Sequence, residues 1–390
     1  MKKVCIVTST RAEYGLLRGV IKRLSVFDDL ITNVVVTGAH LVEAQGYTIR
    51  EIKEDGLAIA AEIPIMDEVK DGFDMSSVAA RALKGFATFL HEEPQDAVVI
   101  LGDRYEMMGF AYAAVLANIP VVHLHGGEIT EGAVDDIVRH CLTKMSSLHF
   151  ASTEEYIKRI IQMGENPQNV YNSGAPGVEN IKSVDLMSEA EIRKALGELK
   201  GADSLEGQFA LVTFHPVTTE AGEMKVQVRE LLSAMDEYPD LFFVITKANA
   251  DAGGQVINKV FEEYVSGHDN TLLVASLGMK RYLSAMKYAA FVLGNSSSGI
   301  IETPSFHIPT VNVGDRQAGR VRADSVIDCA PVADAIKAAM EKALDPGFKD
   351  SLADVANPYE KAGTAEFIAS TIHDYLINDK LSVRKRFYDI

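Results

Sequence analysis

The residues able to do chemistry crowd into one stretch, GDRYEMMGFAYAAVLANIPVVHLHGGEITEGAVDDIVRH, from Gly102 to His140. Asp103, Arg104, His123, His125, Glu128, Asp135, Asp136 and Arg139 are the carboxylates, imidazoles and guanidiniums that move protons and hold anions. Apolar segments split them into two groups, each at the end of a run that reads as a strand. Open α/β sheets bind ligands beyond the carboxyl ends of their strands, so the stretch points to acid–base work on an anionic ligand. In HLHGGE (123–128), strand alternation places His123 and His125 on one face, and the paired glycines permit a tight turn or a close ligand approach. A zinc site would need a third ligand at a recognisable spacing, so no metal is expected. Either histidine also suits a hydrogen-bonded place in the core. In DDIVRH (135–140), Asp135 and Arg139 stand at i, i+4, a spacing equally suited to a surface ion pair. In GDRYE (102–106), Asp103 can cap the helix that follows and pair with Arg104, or both can face a ligand.

Further motifs sit at other strand ends. STRAEYG (9–15) opens the first helix, where backbone N–H groups attract anions and Arg11 adds a planar cationic fork. It lacks GxGxxG, so no nicotinamide cofactor is expected. TFHPVT (213–218) places His215 just past a buried strand, and Pro216 stops the strand from continuing. GNSSSGIIE (294–302) ends a strand in a polar turn. Ser296, Ser297 and Ser298 with successive N–H groups suit a phosphate, and Glu302 suits ribose hydroxyls. GDRQAGRVR (314–322) supplies Arg316, Arg320 and Arg322, of which Arg316 is the candidate to close on a diphosphate. KANADAGG (247–254) is a polar loop whose Asn249 can reach a ligand.

The elements that must carry these residues alternate. Strands are expected over 3–8, 34–38, 61–65, 96–103, 119–127, 147–152 and 169–174, then over 209–215, 241–248, 271–276, 290–295 and 309–315, with helices between them. Such alternation implies an α/β protein with two doubly wound, Rossmann-like parallel sheets. At 390 residues, one ordinary core is too small for the chain. The expected division is an N-terminal domain over 1–182, carrying most acid–base residues, and a C-terminal domain over 183–362. A helix near 363–377 and the basic tail KLSVRKRFYDI follow, and this 363–390 segment is expected to pack back on the first domain.

A net charge of −17 leaves no basic excess to neutralise nucleic-acid phosphates, so no nucleic-acid partner is expected. Cys5, Cys141 and Cys329 are scattered without CxxC, against a disulfide framework. The apolar run after Lys2 and Lys3 stops at Thr8, too short for a signal peptide, and no run is long enough to span a membrane. The expectation is a cytoplasmic protein with no membrane partner.

Taken in order over nearly the whole chain, TSTRAEYG, GDRYE, HLHGGE, the acidic pair before Arg139–His140, HPVT, GNSSSGIIE and GDRQ–GR resemble the hydrolysing UDP-N-acetylglucosamine 2-epimerases. The likeness is to the bacterial branch that makes N-acetylmannosamine for sialic acid. The resemblance implies a GT-B-like fold with two domains facing a central cleft, a UDP-sugar substrate, no cofactor, and a homodimer or higher homo-oligomer. It implies that Ser296, Ser297, Ser298 and Glu302 contact the nucleotide and that Tyr282 lies near the uracil. Arg11, Arg104, Arg139, His215, Asn249 and Arg316 complete the expected ligand set. Asp103, His125, Glu128, Asp135 and His215 form the expected proton-handling set. Some branches of the family carry Glu where this chain has His125, so their proton-transfer assignment does not transfer directly to it. The implied reaction inverts sugar C2 and releases UDP through 2-acetamidoglucal. Rival readings are the sister epimerase of a UDP-2,4-diacetamido-2,4,6-trideoxyhexose, a GT-B glycosyltransferase, and a non-catalytic UDP-sugar sensor.

Overall fold

Short apolar runs bounded by helices make buried parallel strands, because both faces of such a sheet are covered. The structure, a computed structural model, describes residues 1–66, 69, 72–131, 134–217, 223–248 and 253–390. Asn249 and part of the polar 66–74 loop lie outside the described residues. The described chain divides into two compact units. One comprises 1–128, 134–180 and 361–390; the other comprises 181–360 together with Ile129–Ala133.

In the first unit the strands are β1 (Lys2–Thr8), β2 (Leu30–Thr37), β3 (Ile59–Ile63), β4 (Ala97–Leu101), β5 (Val121–Leu124), β6 (Leu148–Ala151) and β7 (Val170–Asn172). All pair in parallel, in the spatial order β3-β2-β1-β4-β5-β6-β7. Alternation along β1 divides the core. Val4 and Ile6 face one layer, with Leu17, Val20 and Ile21 of the helix Arg11–Leu24 and Ile368 and Ile372 of the helix Thr364–Ile377. Cys5 and Val7 face the other layer, with Phe86 of the helix Gly72–Glu92 and Phe110 of the helix Met107–Leu116. The chain thus returns from the second unit to complete the first. Truncating buried Ile368 to Ala would cost about 2–5 kcal/mol. The basic tail is anchored on this unit too: Lys385 Nζ lies 2.8 Å from both carboxylate oxygens of Glu165 and donates to Ser146 O at 2.7 Å.

In the second unit the strands are β8 (Phe209–Thr213), β9 (Phe242–Thr246), β10 (Thr271–Val274), β11 (Val292–Gly294), β12 (Thr310–Val313) and β13 (Val326–Cys329). They run parallel in the order β10-β9-β8-β11-β12-β13. Ala210 and Val212 pack with Val228 and Leu231 of the helix Met224–Asp236 on one face. Phe209 and Leu211 pack with Ile192 and Leu196 of the helix Glu189–Lys200 on the other. The sequence reading did not anticipate β13. Only Ile327 among its four residues is buried, the weak signal of a short edge strand.

Candidate active site

Each sheet has a point where neighbouring strands send their connections in opposite directions: β1 beside β4, and β8 beside β11. The backbone opens there at the carboxyl ends, and ligands of doubly wound sheets bind there. Most of the residues singled out from sequence lie at or beside these two points.

Beside β4 in the first unit, the N-cap of the helix Met107–Leu116 is Glu106, without a side-chain cap, so Asp103 does not play that role. The Asp103 carboxylate instead pairs with Arg139, which is only 1% exposed. Arg139 Nη1 also donates to Glu128 O at 3.0 Å, and its guanidinium lies 3.8 Å from Asp136. One buried cation therefore ties the β4 end to the loop after β5 and to the first turn of the helix Val134–Met145, where half-buried Asp135 also sits. Such a position suits holding the carboxylates in place. Arg104 Nε donates to Glu106 Oε1 at 2.6 Å. Arg11, in the first turn of its helix, pairs with Glu51 at 2.9 Å.

The two histidines of HLHGGE separate in role. β5 ends at Leu124, so strand alternation governs His123 but not His125. His123 is fully buried; its Nε2 donates to Gly102 O at 2.7 Å and its Nδ1 meets Thr143 Oγ1 at 3.2 Å. Burial lowers its pKa to about 3, which leaves it a neutral part of the core. His125 takes a left-handed backbone, φ 64°, and turns out of the sheet. Gly127 permits the turn: its φ is 77°, and a Cβ there would come within 2.5 Å of Tyr156 O. His125 Nδ1 then meets Glu128 Oε1 at 2.6 Å, and Ser152 Oγ donates to the same oxygen at 2.9 Å. Glu128 is 2% exposed and His125 8% exposed. His125 Nε2 is buried with no hydrogen-bond partner among the described residues. A carboxylate on Nδ1 fixes the tautomer in which Nε2 is the basic nitrogen. The geometry is that of an oriented general base.

In the second unit, half-buried His215 lies two residues past β8. Asn295, which follows β11, holds its backbone from both sides: His215 N donates to Asn295 Oδ1 at 2.7 Å, and Asn295 Nδ2 donates to His215 O at 2.9 Å. The approach is close, since a Cβ on Gly294 (φ 131°) would fall 2.0 Å from Thr213 O. Asn295 O in turn accepts from Arg316 Nη1 at 3.1 Å and Gln317 Nε2 at 2.9 Å. Ser296 caps the short helix Ser297–Ile301, and Glu302 closes it. Ser298 Oγ and Tyr282 OH are 2.6 Å apart, and burial pushes the Tyr282 phenol up to about 12. One of the three serines is thus spent as an ordinary cap and another engages Tyr282.

Sequence reasoning missed Asn295, Ser9, Glu13 and Glu106 as site residues, although each stands inside a motif it quoted. Glu13 closes a capping box with Thr10, so STRAEYG reads as a routine helix start. Ser9 Oγ also bridges Glu13 and Glu106. Among the described residues, no group of three or more His, Cys, Asp or Glu could hold a metal ion, and no helix is long and apolar enough to cross a membrane.

Comparison with known proteins bears on this geometry. The family model described as UDP-N-acetylglucosamine 2-epimerase matches residues 22–373. The chain is 40% identical over 328 residues to the GDP/UDP-N,N'-diacetylbacillosamine 2-epimerase (hydrolyzing) of Campylobacter jejuni, covering 84% of each chain. It is 37% identical to the polysialic acid biosynthesis protein P7 of Escherichia coli, covering 100% of this chain and 98% of that one. The solved UDP-GlcNAc 2-epimerase of Neisseria meningitidis bound to UDP-GlcNAc shares its fold, with a TM-score of 0.80 at 19% identity over 95% of this chain and 100% of that one.

Proposed function

The chain belongs to the UDP-N-acetylglucosamine 2-epimerase family and is a hydrolysing UDP-sugar 2-epimerase, and from that premise we propose that it converts UDP-N-acetylglucosamine and water to N-acetylmannosamine and UDP. The observation that carries the chemistry is the His125–Glu128 pair with its unpartnered, buried Nε2. His125 Nε2 takes the C2 proton. The C–H electron pair becomes the C1–C2 double bond of 2-acetamidoglucal, and the C1–O bond breaks as UDP leaves. Water then adds its hydroxyl to C1, and a proton returns to C2 on the opposite face. Loss of so weakly acidic a proton needs a stabilised leaving group, which Arg316 and the N–H groups at Ser296–Ser298 would supply. Asp103, Asp135 and His215 share the remaining proton transfers, and Arg139 holds Asp103. Tyr282 and Glu302 serve the nucleoside, and Asn249, Arg11 and Arg104 the remaining ligand contacts. A homo-oligomeric, cytoplasmic enzyme is part of the same reading.

The full-length likeness to the E. coli polysialic acid biosynthesis protein supports a role in sialic-acid synthesis, the reading under which N-acetylglucosamine is the proposed sugar. The 40% likeness to the C. jejuni epimerase favours a second reading, with the UDP-2,4-diacetamido sugar as substrate. Incubation of each UDP-sugar in deuterium oxide, without an acceptor, decides between them. The expected result is UDP release from UDP-GlcNAc with deuterium at C2 of the N-acetylmannosamine. Faster release from the diacetamido sugar would transfer the assignment, and product without deuterium would remove the elimination route.

A further inference from the structure

Ser9, Glu13, Arg104 and Glu106 form a buried cluster in which the carboxyl groups have no part in the scheme above. Ser9 follows β1, Glu13 lies in the first turn of the helix Arg11–Leu24, and Arg104 and Glu106 follow β4, so the cluster spans the switch point of the first unit. Ser9 Oγ is 2.6 Å from Glu13 Oε2 and 2.7 Å from Glu106 Oε1. Each such O···O contact needs a proton between its oxygens, and a serine hydroxyl brings one. The second proton must sit on a carboxyl group. Charge points the same way. Two carboxyl groups, 6% and 0% exposed, face the Arg104 guanidinium, whose Nε donates to Glu106 Oε1 at 2.6 Å. Glu106 Oε2 is buried with no hydrogen-bond partner among the described residues, a costly place for a full carboxylate. Burial raises the Glu13 pKa and Glu106 adds to the rise, while Arg104 and the hydrogen bonds from Ser9 oppose it without cancelling it.

We propose that Glu13 and Glu106 are an acid pair holding one proton in common through Ser9, and that this proton preserves the Arg104 charge for an anionic ligand. Rested on the UDP-sugar reading, the consequence is direct. With the proton, the three charged groups sum to zero (+1 − 1). Without it they sum to −1 (+1 − 2) and repel a diphosphate. The proton belongs to the pair rather than to either residue. Glu13 and Glu106 are positioning residues that act through Arg104. His40, just past the end of the neighbouring β2, reaches β1 as well: its Nε2 meets Thr8 Oγ1 at 3.1 Å. Burial lowers its pKa to about 4, so it adds no charge near neutrality.

Infrared spectroscopy of the intact enzyme at neutral pH reads the pair without any turnover. The wild type should show the carbonyl band of a protonated carboxyl group that is missing from Glu106→Gln. Kinetics read its consequence. On the alkaline side, kcat/KM of the wild type for UDP-GlcNAc should fall by about tenfold per unit once the shared proton leaves, and Glu106→Gln, whose amide donates permanently to Ser9, should lack that alkaline fall. Glu13→Gln carries the same comparison should Glu106→Gln not fold. No carboxyl band in the wild type would overturn the shared proton, and superimposable pH profiles would overturn its role at Arg104. Failure of the wild type to release UDP would instead overturn the substrate reading, with the infrared result still deciding the pair.

Discussion

The two switch points have the same topology and opposite chemistry. Between β1 and β4, and on into the loop after β5, the space is filled by ionisable groups: Glu13, Arg104, Glu106, Asp103, Arg139, and the His125–Glu128 pair. Between β8 and β11 the central group is one neutral amide, the fully buried Asn295 side chain, which grips the backbone of His215, while the backbone carbonyl of the same residue accepts from Arg316 and Gln317. The contrast has a physical basis. Buried charges must be paired or share protons, and a network that does so is already equipped to move a proton. An amide cannot ionise, but its donor and acceptor are directional and hold a loop at a fixed position. Under the proposed reading the first unit carries most of the proton-handling residues, and Asn295 in the second holds His215 and Arg316 in position.

Substitutions in each unit can break that division. The largest effect is expected from His125→Gln, which removes the basic nitrogen at nearly constant volume. Its kcat should fall by about 10²–10⁴-fold with UDP affinity retained, as measured by steady-state kinetics and UDP titration. Normal turnover would take His125 out of the reaction. Asn295→Ala comes next. It leaves the His215 N–H and C=O without their side-chain partners, at about 1–3 kcal/mol for each half-buried group, while the backbone carbonyl that Arg316 uses remains. Thermal unfolding should shift down, and kcat should fall by about 10–10²-fold with a raised KM. A kinetic loss equal to that of His125→Gln would erase the distinction between chemistry and positioning.

The last prediction concerns acid stability and leaves the reaction itself untouched. Burial lowers His40 to about 4 and His123 to about 3, and lowers His149 too; all three lie in the first unit. The unfolded chain takes up these protons near pH 6.5, whereas the folded chain resists them until the lowered values. Stability therefore falls as pH drops below about 6.5, by up to about 1.4 kcal/mol per unit for each such group. The urea midpoint should be lower at pH 5 than at pH 7, with the first unit yielding first. An equal or higher midpoint at pH 5 would show that these histidines are not held neutral.

Part of this site was legible in the sequence. GDRYE and HLHGGE named Asp103, Arg104, His125 and Glu128, because strand-end residues after apolar runs are recognisable from local pattern alone. The same local reasoning misjudged the histidine pair. Alternation assigned His123 and His125 to one face, yet β5 stops at Leu124 and the left-handed turn at His125 sends the second ring elsewhere. It also passed over Glu13, whose capping box is a sufficient local explanation, and Asn295, which reads as one polar residue of a turn.

What the sequence by itself determined is the parallel strands apart from the edge strand β13, the two α/β units of the chain, and the groups standing at the strand ends. These follow from the spacing of apolar residues and need no knowledge of neighbours. What only the tertiary structure decided is which strand ends share a space. Ser9 reaches Glu106 across 97 positions of sequence, and His215 reaches Asn295 across 80. Those pairings depend on β1 lying against β4 and β8 against β11, a result of how whole strand–helix units pack against one another, which no short window of residues encodes.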